Sequence, residues 1–396
     1  MRILMVNRGI LRVPPKSSGG GAENQGYHLA NYLAKLGHEV YFVSKTRPDA
    51  QFHNLVRVCR VPPRRAVIPP KSVFFGWVMK HLFGNILSSF VAYGTIVRES
   101  YRFDVIHCHG ALAALLLRIL IGRRIPVVYT MHDASPWIVH YPGIHRRAFR
   151  KLAYLMIDVP CLRKVHHIIV VGRGLSDETA RWTGTRRNVT FIPVGVAAAD
   201  HTTSAVRGNP RYGLFVGQLV RRKRIDILVR VASRMAGDCT KFVIVGDGPE
   251  KAKLVQLAES LEVRDRFTFA GYVNDGELAR YYRGASFFVF PSTAEGFGTV
   301  IIEAMSYGLP VVASRIRCYD GMLTHDGNCL LVEPGNVEGW VECLRKLAAD
   351  DGLRQRLSAE GRSFAAAHFS WETVARQTER VYKRVSMRAD AALGGE

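Results

Sequence analysis

Apolar residues in this chain fall mostly in short unbroken runs set between glycine-rich or polar turns. Runs of four to six without polar alternation read as strands buried on both faces, as in a parallel sheet. Ile3-Leu4-Met5-Val6 is the first. A glycine loop follows at Ser17-Ser18-Gly19-Gly20-Gly21. The helix predicted from about Ala22 carries Leu29, Leu33 and Leu36 on one face and stops at Gly37. Glu39-Val40-Tyr41-Phe42-Val43 is the next strand, which completes a βαβ unit. Its glycine loop lies at a strand's carboxyl end, where open α/β sheets bind ligands. Further strands are expected at Val105-Ile106, Val127-Val128-Tyr129, Ile168-Ile169-Val170-Val171 and Val189-Thr190-Phe191-Ile192. The second half repeats the alternation. Strands are expected at Leu214-Phe215-Val216, Phe242-Val243-Ile244-Val245, Phe267-Thr268-Phe269, Phe287 to Phe290 and Pro310 to Ala313. A helix after the first of these has Ile225, Leu228, Val229 and Ala232 on one face, and helices dominate from about Val337.

A length of 396 residues suggests two domains. Residues 197–211, rich in Ala, Thr, Ser and Gly, suit a hinge between them. Two α/β domains on a hinge imply a cleft, a favoured place for a ligand. The formal charge of +22 is unevenly spread. Residues 1–200 hold 28 Lys/Arg against 10 Asp/Glu, a balance of +18, and the rest of the chain carries only +4. The first half therefore faces an anionic partner or simply presents a solvated basic surface. No nucleic-acid module is recognisable, so nucleic acid is not the expected partner. An anionic membrane surface or a phosphate-bearing acceptor fits better. Seven scattered cysteines, with no C-x-x-C, fit reduced thiols in a cytosol. No apolar run approaches the ~20 residues that span a bilayer; the longest, Ala111 to Ile121, is interrupted by Arg118. One segment breaks the α/β rhythm. Residues 62–98 open with Pro62-Pro63-Arg64-Arg65 and continue into Val73-Phe74-Phe75-Gly76-Trp77-Val78-Met79-Lys80, which reads either as a core helix with a solvated face or as a helix lying on a membrane surface.

The chemistry concentrates at residues 285–303. Ala285-Ser286-Phe287-Phe288-Val289-Phe290 is a buried strand closed by Pro291-Ser292. Glu295-Gly296-Phe297-Gly298 forms a turn, and a helix starts near Thr299 and carries Glu303. A strand, a glycine turn and a helix start present unpaired backbone N–H groups and the positive end of a helix dipole, which suits a phosphate. The two acids suit sugar and ribose hydroxyls. His107-Cys108-His109 puts two imidazoles on one strand face, but no third ligand lies at useful spacing and no Asp-x-Asp is present, so no metal is expected.

The string from Pro291 to Gly298, with Glu303-Ala304-Met305, Gly308-Leu309-Pro310-Val311-Val312 and Ala313-Ser314, resembles the E-x7-E signature of the retaining glycosyltransferases of family 4. The resemblance covers most of the chain, is densest over 212–334, and thins over 45–104, where an acceptor would bind. It implies the α/β GT-B architecture, two Rossmann-like domains facing across a cleft. The first would span 1–196 and bind acceptor, the second 208–370 and bind nucleotide sugar, with a returning helix at 371–386. It further implies a hexosyltransferase-type enzyme that uses a nucleotide diphosphate sugar, needs no cofactor, and works in the cytoplasm or peripherally on the inner face of a membrane. Its acceptor would be a lipid-linked or anionic glycan precursor in polysaccharide or glycolipid synthesis.

Roles carry over position by position. Glu295 would hold donor sugar hydroxyls and Glu303 the ribose, while Phe297, Gly298, Thr299 and Val300 offer backbone amides to sugar and phosphate. Gly217-Gln218-Leu219-Val220-Arg221-Arg222-Lys223 is similar to the family's G-R-L-x-x-x-K, with Lys223 as the cation on the diphosphate. Gln218 stands where the family has arginine, and Arg221, Arg222 or Arg224 are candidates to compensate. Gly246, Gly248, Tyr272 and Val273 match the loops that frame the base. Gly20 and Gly21 match the loop near the donor phosphates. His132, in Tyr129-Thr130-Met131-His132-Asp133, matches a strand-end histidine that contacts the donor sugar or the developing charge, and His109 is a candidate for lining the acceptor cleft. Ile192-Pro193-Val194-Gly195-Val196 departs from the family's Pro-Asn-Gly. A nucleotide-sugar-binding protein without catalysis, or an epimerase or phosphorylase on the same scaffold, are the alternatives.

Overall fold

The structure is a computed structural model that describes residues 1–7, 12–13, 21–46, 51–61, 73–122, 124–132, 148, 151–184, 188–197, 212–235 and 240–393. The chain divides into two compact units. One comprises Met1–Pro15, Gly19–Gly195 and Trp371–Glu396; the other comprises Lys16–Ser18 and Val196–Ser370.

The first unit is built on strands β1 (Arg2–Val6), β2 (Arg12–Val13), β3 (Glu39–Thr46), β4 (Val56–Arg60), β5 (Val105–Cys108), β6 (Val127–Met131), β7 (His167–Val170) and β8 (Val189–Phe191). They form one sheet in the order β2-β3-β1-β5-β6-β7-β8, with β4 also on β3, and the pairings are parallel. Successive strand residues face opposite sides. Every residue of β5, β6 and β7 is buried, so both faces are covered and the sequence shows continuous apolar runs. β4 is different. Its Val-Arg-Val-Cys-Arg alternates, only Val56 is buried, and it carries no apolar run to betray it.

Helices α1 (Gly21–Lys35), α2 (Val73–Arg98) and α3 (Ala111–Ile121) connect these strands. α1 buries Leu29 and Leu33 as its periodicity predicts. From Asn85 onward α2 is a core helix, with Ser88, Ser89, Ala92 and Ile96 buried against α3, β1, β3 and β4. Residues 62–72, and the side chains of 73–84 that carry the expected membrane-surface face, lie outside the described residues. No helix among the described residues is long and apolar enough to cross a membrane. The terminal helix Trp371–Leu393 returns to this unit. Trp371 stacks on His28 with ring centroids 4.9 Å apart and occupies the space a side chain at Gly195 would need.

The second unit contains β9 (Gly213–Val216), β10 (Phe242–Val245), β11 (Phe267–Gly271), β12 (Phe287–Phe290), β13 (Val311–Ser314) and β14 (Leu330–Val332). Its sheet is parallel, in the order β11-β10-β9-β12-β13-β14. In units of chain order this is 3-2-1-4-5-6, the doubly wound arrangement. The order reverses between β9 and β12, and such a reversal is the place where open α/β sheets bind ligands at their strands' carboxyl ends. The apolar runs at 214–216, 242–245 and 287–290 supply β9, β10 and β12. β14 is an equally buried apolar run, Leu330-Leu331-Val332, that is not among the strands expected above. The helix Ile225–Arg234 buries Ile225, Leu228, Val229 and Ala232.

Candidate active site

The second unit gathers its charged groups at the reversal between β9 and β12. The loop after β9 ends in the short turn Arg221–Lys223, and the loop after β12 carries Ser292 and Glu295. The two loops are laced together. Thr293 N–H donates to the Arg222 carbonyl at 2.9 Å, and Arg222 Nη1 donates to the Ala294 carbonyl at 2.8 Å. Lys223 Nζ lies 2.8 Å and Arg222 Nη1 2.6 Å from Glu295 Oε1, to which Ser292 Oγ also donates. All three donors converge on one carboxylate oxygen, and Oε2 takes none of them. The Glu295 and Lys223 side chains are only 8% and 9% exposed. Burial pushes Glu295 up, but Lys223 and Arg222 overcome it and hold the carboxyl below its usual range. Burial pulls the Lys223 ammonium down, against the pull of Glu295. The ammonium also sits 4.4 Å from the centroid of Phe290.

Glu303 has the opposite environment. It lies one turn into the helix Thr299–Ser306. Burial raises its pKa, the hydrogen bond from Tyr282 Oη at 3.0 Å opposes the rise, and Asp275 adds to it. No cation pairs with it among the described residues. The helix is introduced by Gly298 in the left-handed region (φ 80°), with no side-chain cap. A Cβ at Gly298 would lie 2.7 Å from Tyr319 Oη. The leading amides of Thr299 and Val300 have no intrahelical acceptor, while the Phe297 ring is buried against Phe369, 5.8 Å away.

The predicted base-framing loops fall at the carboxyl ends of β10 and β11. Gly246 (φ 127°) and Gly248 have packing reasons to be glycine, since a Cβ on the first would collide with the Gly217 carbonyl and on the second with the Leu219 carbonyl. Gly246 N–H donates to the Gly271 carbonyl at 2.8 Å, so the ends of β9, β10 and β11 meet backbone to backbone. Tyr272 is 60% exposed and Val273 partly exposed just beyond. Gln218 is exposed. Of its three possible substitutes, Arg222 reaches Glu295, Arg224 is taken by Asp226 at 2.9 Å, and Arg221 is exposed.

In the first unit, imidazoles collect at the carboxyl ends of β5 and β6. His107 contacts Tyr382 Oη through Nδ1 and Thr130 Oγ1 through Nε2, the latter at 2.6 Å. His109 Nδ1 lies 2.9 Å from His132 Nε2, and the two rings stack. Burial alone pushes His109 down to about 3, and burial with two imidazole neighbours drives His107 well down. His109 Nε2 is buried without a partner. An orphaned lone pair costs less than an orphaned N–H. The favoured tautomer of His109 therefore donates from Nδ1 to His132 Nε2. Sequence reasoning linked His109 to His107 by strand alternation and missed its partnership with His132. It also missed Ser292, whose only signal was its place beside Pro291 at a strand end. Gly21 is the first residue of α1, and Gly20 lies outside the described residues. Among the described residues no group of three or more His, Cys, Asp or Glu is arranged to hold a metal.

Two parallel α/β sheets with polar groups gathered at their strands' carboxyl ends, and a terminal helix returned to the first unit, define a GT-B glycosyltransferase architecture. A solved structure of the same fold is sucrose-phosphate synthase from Thermosynechococcus elongatus, with TM-score 0.73, 24% identity, and coverage of 97% of this chain and 98% of that one. Residues 19–200 match the family model described as Glycosyltransferase Family 4, and residues 198–364 match Glycosyl transferases group 1. The two matches run without a gap from 19 to 364, and the chain belongs to this family of glycosyltransferases. An uncharacterized glycosyltransferase of Methanocaldococcus jannaschii is 27% identical over 97% of this chain and 98% of its own length. The phosphatidyl-myo-inositol mannosyltransferase of Mycobacterium leprae is 28% identical over 93% of this chain and 94% of its own.

Proposed function

We propose that this glycosyltransferase moves a hexose from a nucleotide diphosphate sugar, with retention of anomeric configuration, to a lipid-linked or anionic glycan acceptor. The observation that carries this reading is the buried Glu295 carboxylate, held by Lys223 and Arg222 at the sheet's reversal and followed by the uncapped helix start at Thr299. Lys223 and Arg222 neutralise the diphosphate as it leaves. The amides of Gly298, Thr299 and Val300 hold its oxygens and the sugar. Glu295 Oε2 accepts from donor sugar hydroxyls, and Glu303 accepts from the ribose. His132 contacts the donor sugar or the charge that develops on it. The bond from the anomeric carbon to the diphosphate breaks as the bond to the acceptor oxygen forms on the same face, and a donor phosphate oxygen takes the acceptor proton. The protein supplies positioning and charge. No metal or cofactor is required in this scheme.

The mannosyltransferase relative supports a hexose donor and a lipid acceptor with an anionic headgroup. The +18 balance of residues 1–200 supports the anionic partner and a peripheral place on a membrane. The binding-only alternative rests on Gln218, and the Arg222 contact weakens it by supplying a second cation at Glu295. A thermal-shift screen of nucleoside diphosphates and their sugars tests donor binding. At least one is expected to raise the melting temperature, with the shift lost in Glu303→Ala. Sugar transfer that continues undiminished in Glu295→Gln would remove that carboxylate from the mechanism.

A further inference from the structure

α3 is a surface helix without a polar face. Its eleven residues, Ala111 to Ile121, include one polar side chain, Arg118. Ala113, Ala114, Leu117 and Ile121 face the core. The opposite face should be polar in a soluble protein, yet Ile119 and Leu120 stand there 59% and 46% exposed. Arg118 does not supply the missing polarity. It folds back to cap backbone, donating to the Lys164 carbonyl at 2.9 Å and to the Gly122 carbonyl.

Packed beside α3 is the helical stretch 151–164, which contains a π-helical turn, Tyr154–Asp158. Tyr154, Val159, Cys161 and Leu162 turn inward. Leu152, Leu155 and Met156, at i, i+3 and i+4, turn outward with exposures of 58%, 42% and 66%. Two neighbouring helical segments thus expose five large apolar side chains, an arrangement that marks an interaction surface. Exposed cations flank it at Arg124, Arg163 and Lys164. Between residues 105 and 176 the sequence has ten Lys/Arg and two acids, Asp133 and Asp158.

We infer that this face of α3 and 151–164 is where the protein docks on an anionic lipid bilayer. Apolar side chains enter the headgroup boundary and the flanking cations meet lipid phosphates. An apolar centre with a cationic margin, in which Asp158 is the one acid of the two segments, matches both layers of such a surface. The inference rests on the proposed lipid-linked acceptor and places the membrane contact on these two segments.

Co-sedimentation with vesicles of phosphatidylcholine, alone or with phosphatidylglycerol, tests it. The wild-type protein is expected to bind the phosphatidylglycerol vesicles tightly and phosphatidylcholine alone only weakly. Binding should fall as salt rises but keep a salt-resistant fraction, because apolar insertion is not screened. The pair Leu152→Asp with Met156→Asp is expected to abolish that fraction and to lower partitioning by about tenfold or more. Its melting temperature and donor hydrolysis should be unchanged; the milder Leu152→Gln with Met156→Gln serves if the first pair folds poorly. Arg163→Gln with Lys164→Gln should reduce only the salt-sensitive part. Unaltered binding by the Leu152/Met156 variants overturns the docking face and leaves the membrane reading intact. Wild-type protein that binds neither vesicle overturns the membrane reading itself. A wild-type dimer that these variants convert to monomer, with vesicle binding unchanged, would assign the face to a second copy of the chain.

Discussion

The carboxyl ends of the two sheets bury polar groups in opposite ways. In the first unit His107 and His109 are buried as neutral imidazoles, their pKa values driven down by burial. In the second, Glu295 and Lys223 are buried as ions in direct contact. A titratable group removed from water must lose its charge or find a counter-charge. The first solution leaves hydrogen bonds of adjustable direction. The second leaves a fixed field pointed at whatever charge develops nearby.

The contrast is sharpest against acid. His109 is pushed down to about 3 and His167 to about 4, both by burial first; Arg384 and Arg388 add to the effect on His167. The partly exposed His28 also falls to about 4 and contributes less. These folded values lie below the unfolded value of about 6.5. The stability they confer is complete above about pH 6.5 and drains away as pH falls toward 4 and then 3. The rate is about 1.4 kcal/mol per pH unit for each fully buried imidazole. Glu295, also depressed, contributes stability that is present above the unfolded carboxyl value of about 4.3 and is lost only below it. The first unit is therefore expected to lose hydrogen-exchange protection near pH 5 while the second keeps it; simultaneous loss in both would break the contrast.

Activity sharpens the other side. Lys223→Ala should lower turnover by about 10²–10³-fold, measured as nucleoside diphosphate release, the scale for losing one preorganised charge-stabilising donor. Arg222→Ala should cost less, because that side chain is 40% exposed and its field is screened. Equal losses would mean that burial does not set the strength of the pair. The smallest effect belongs to Tyr382→Phe. It strips the hydroxyl from His107 Nδ1 and should lower the stability of the first unit by about 1–3 kcal/mol, read from thermal unfolding, with nucleotide binding in the second unit unchanged.

Most of this fold was legible as apolar runs, because a parallel strand covered on both faces must be apolar at every position. β4 escaped notice for the complementary reason, since it pairs with β3 and is mostly exposed. β14, Leu330-Leu331-Val332, obeys the same rule as the other buried strands and was not singled out. The candidate site was legible as two separate segments. Lys223 stood in its G-x-L-x-x-x-K string and Glu295 in its strand–turn–helix, and nothing in either indicated that they touch. Of the three arginines near Gln218, the structure alone picked out Arg222 as the one beside Glu295. The lone apolar run 111–121 was read as a span too short for a membrane; its exposed face emerged only once 151–164 was packed beside it.

The sequence by itself determined the alternating α/β order, the glycine turns at strand ends and the family, since these depend on local periodicity and on residues close along the chain. Tertiary structure decided which charges are paired and which imidazoles are neutral, and it left an apolar face of α3 uncovered. Those outcomes depend on burial and on contacts between residues far apart in sequence, Lys223 with Glu295 and His107 with Tyr382. Local pattern does not encode how much water a folded chain removes from each group.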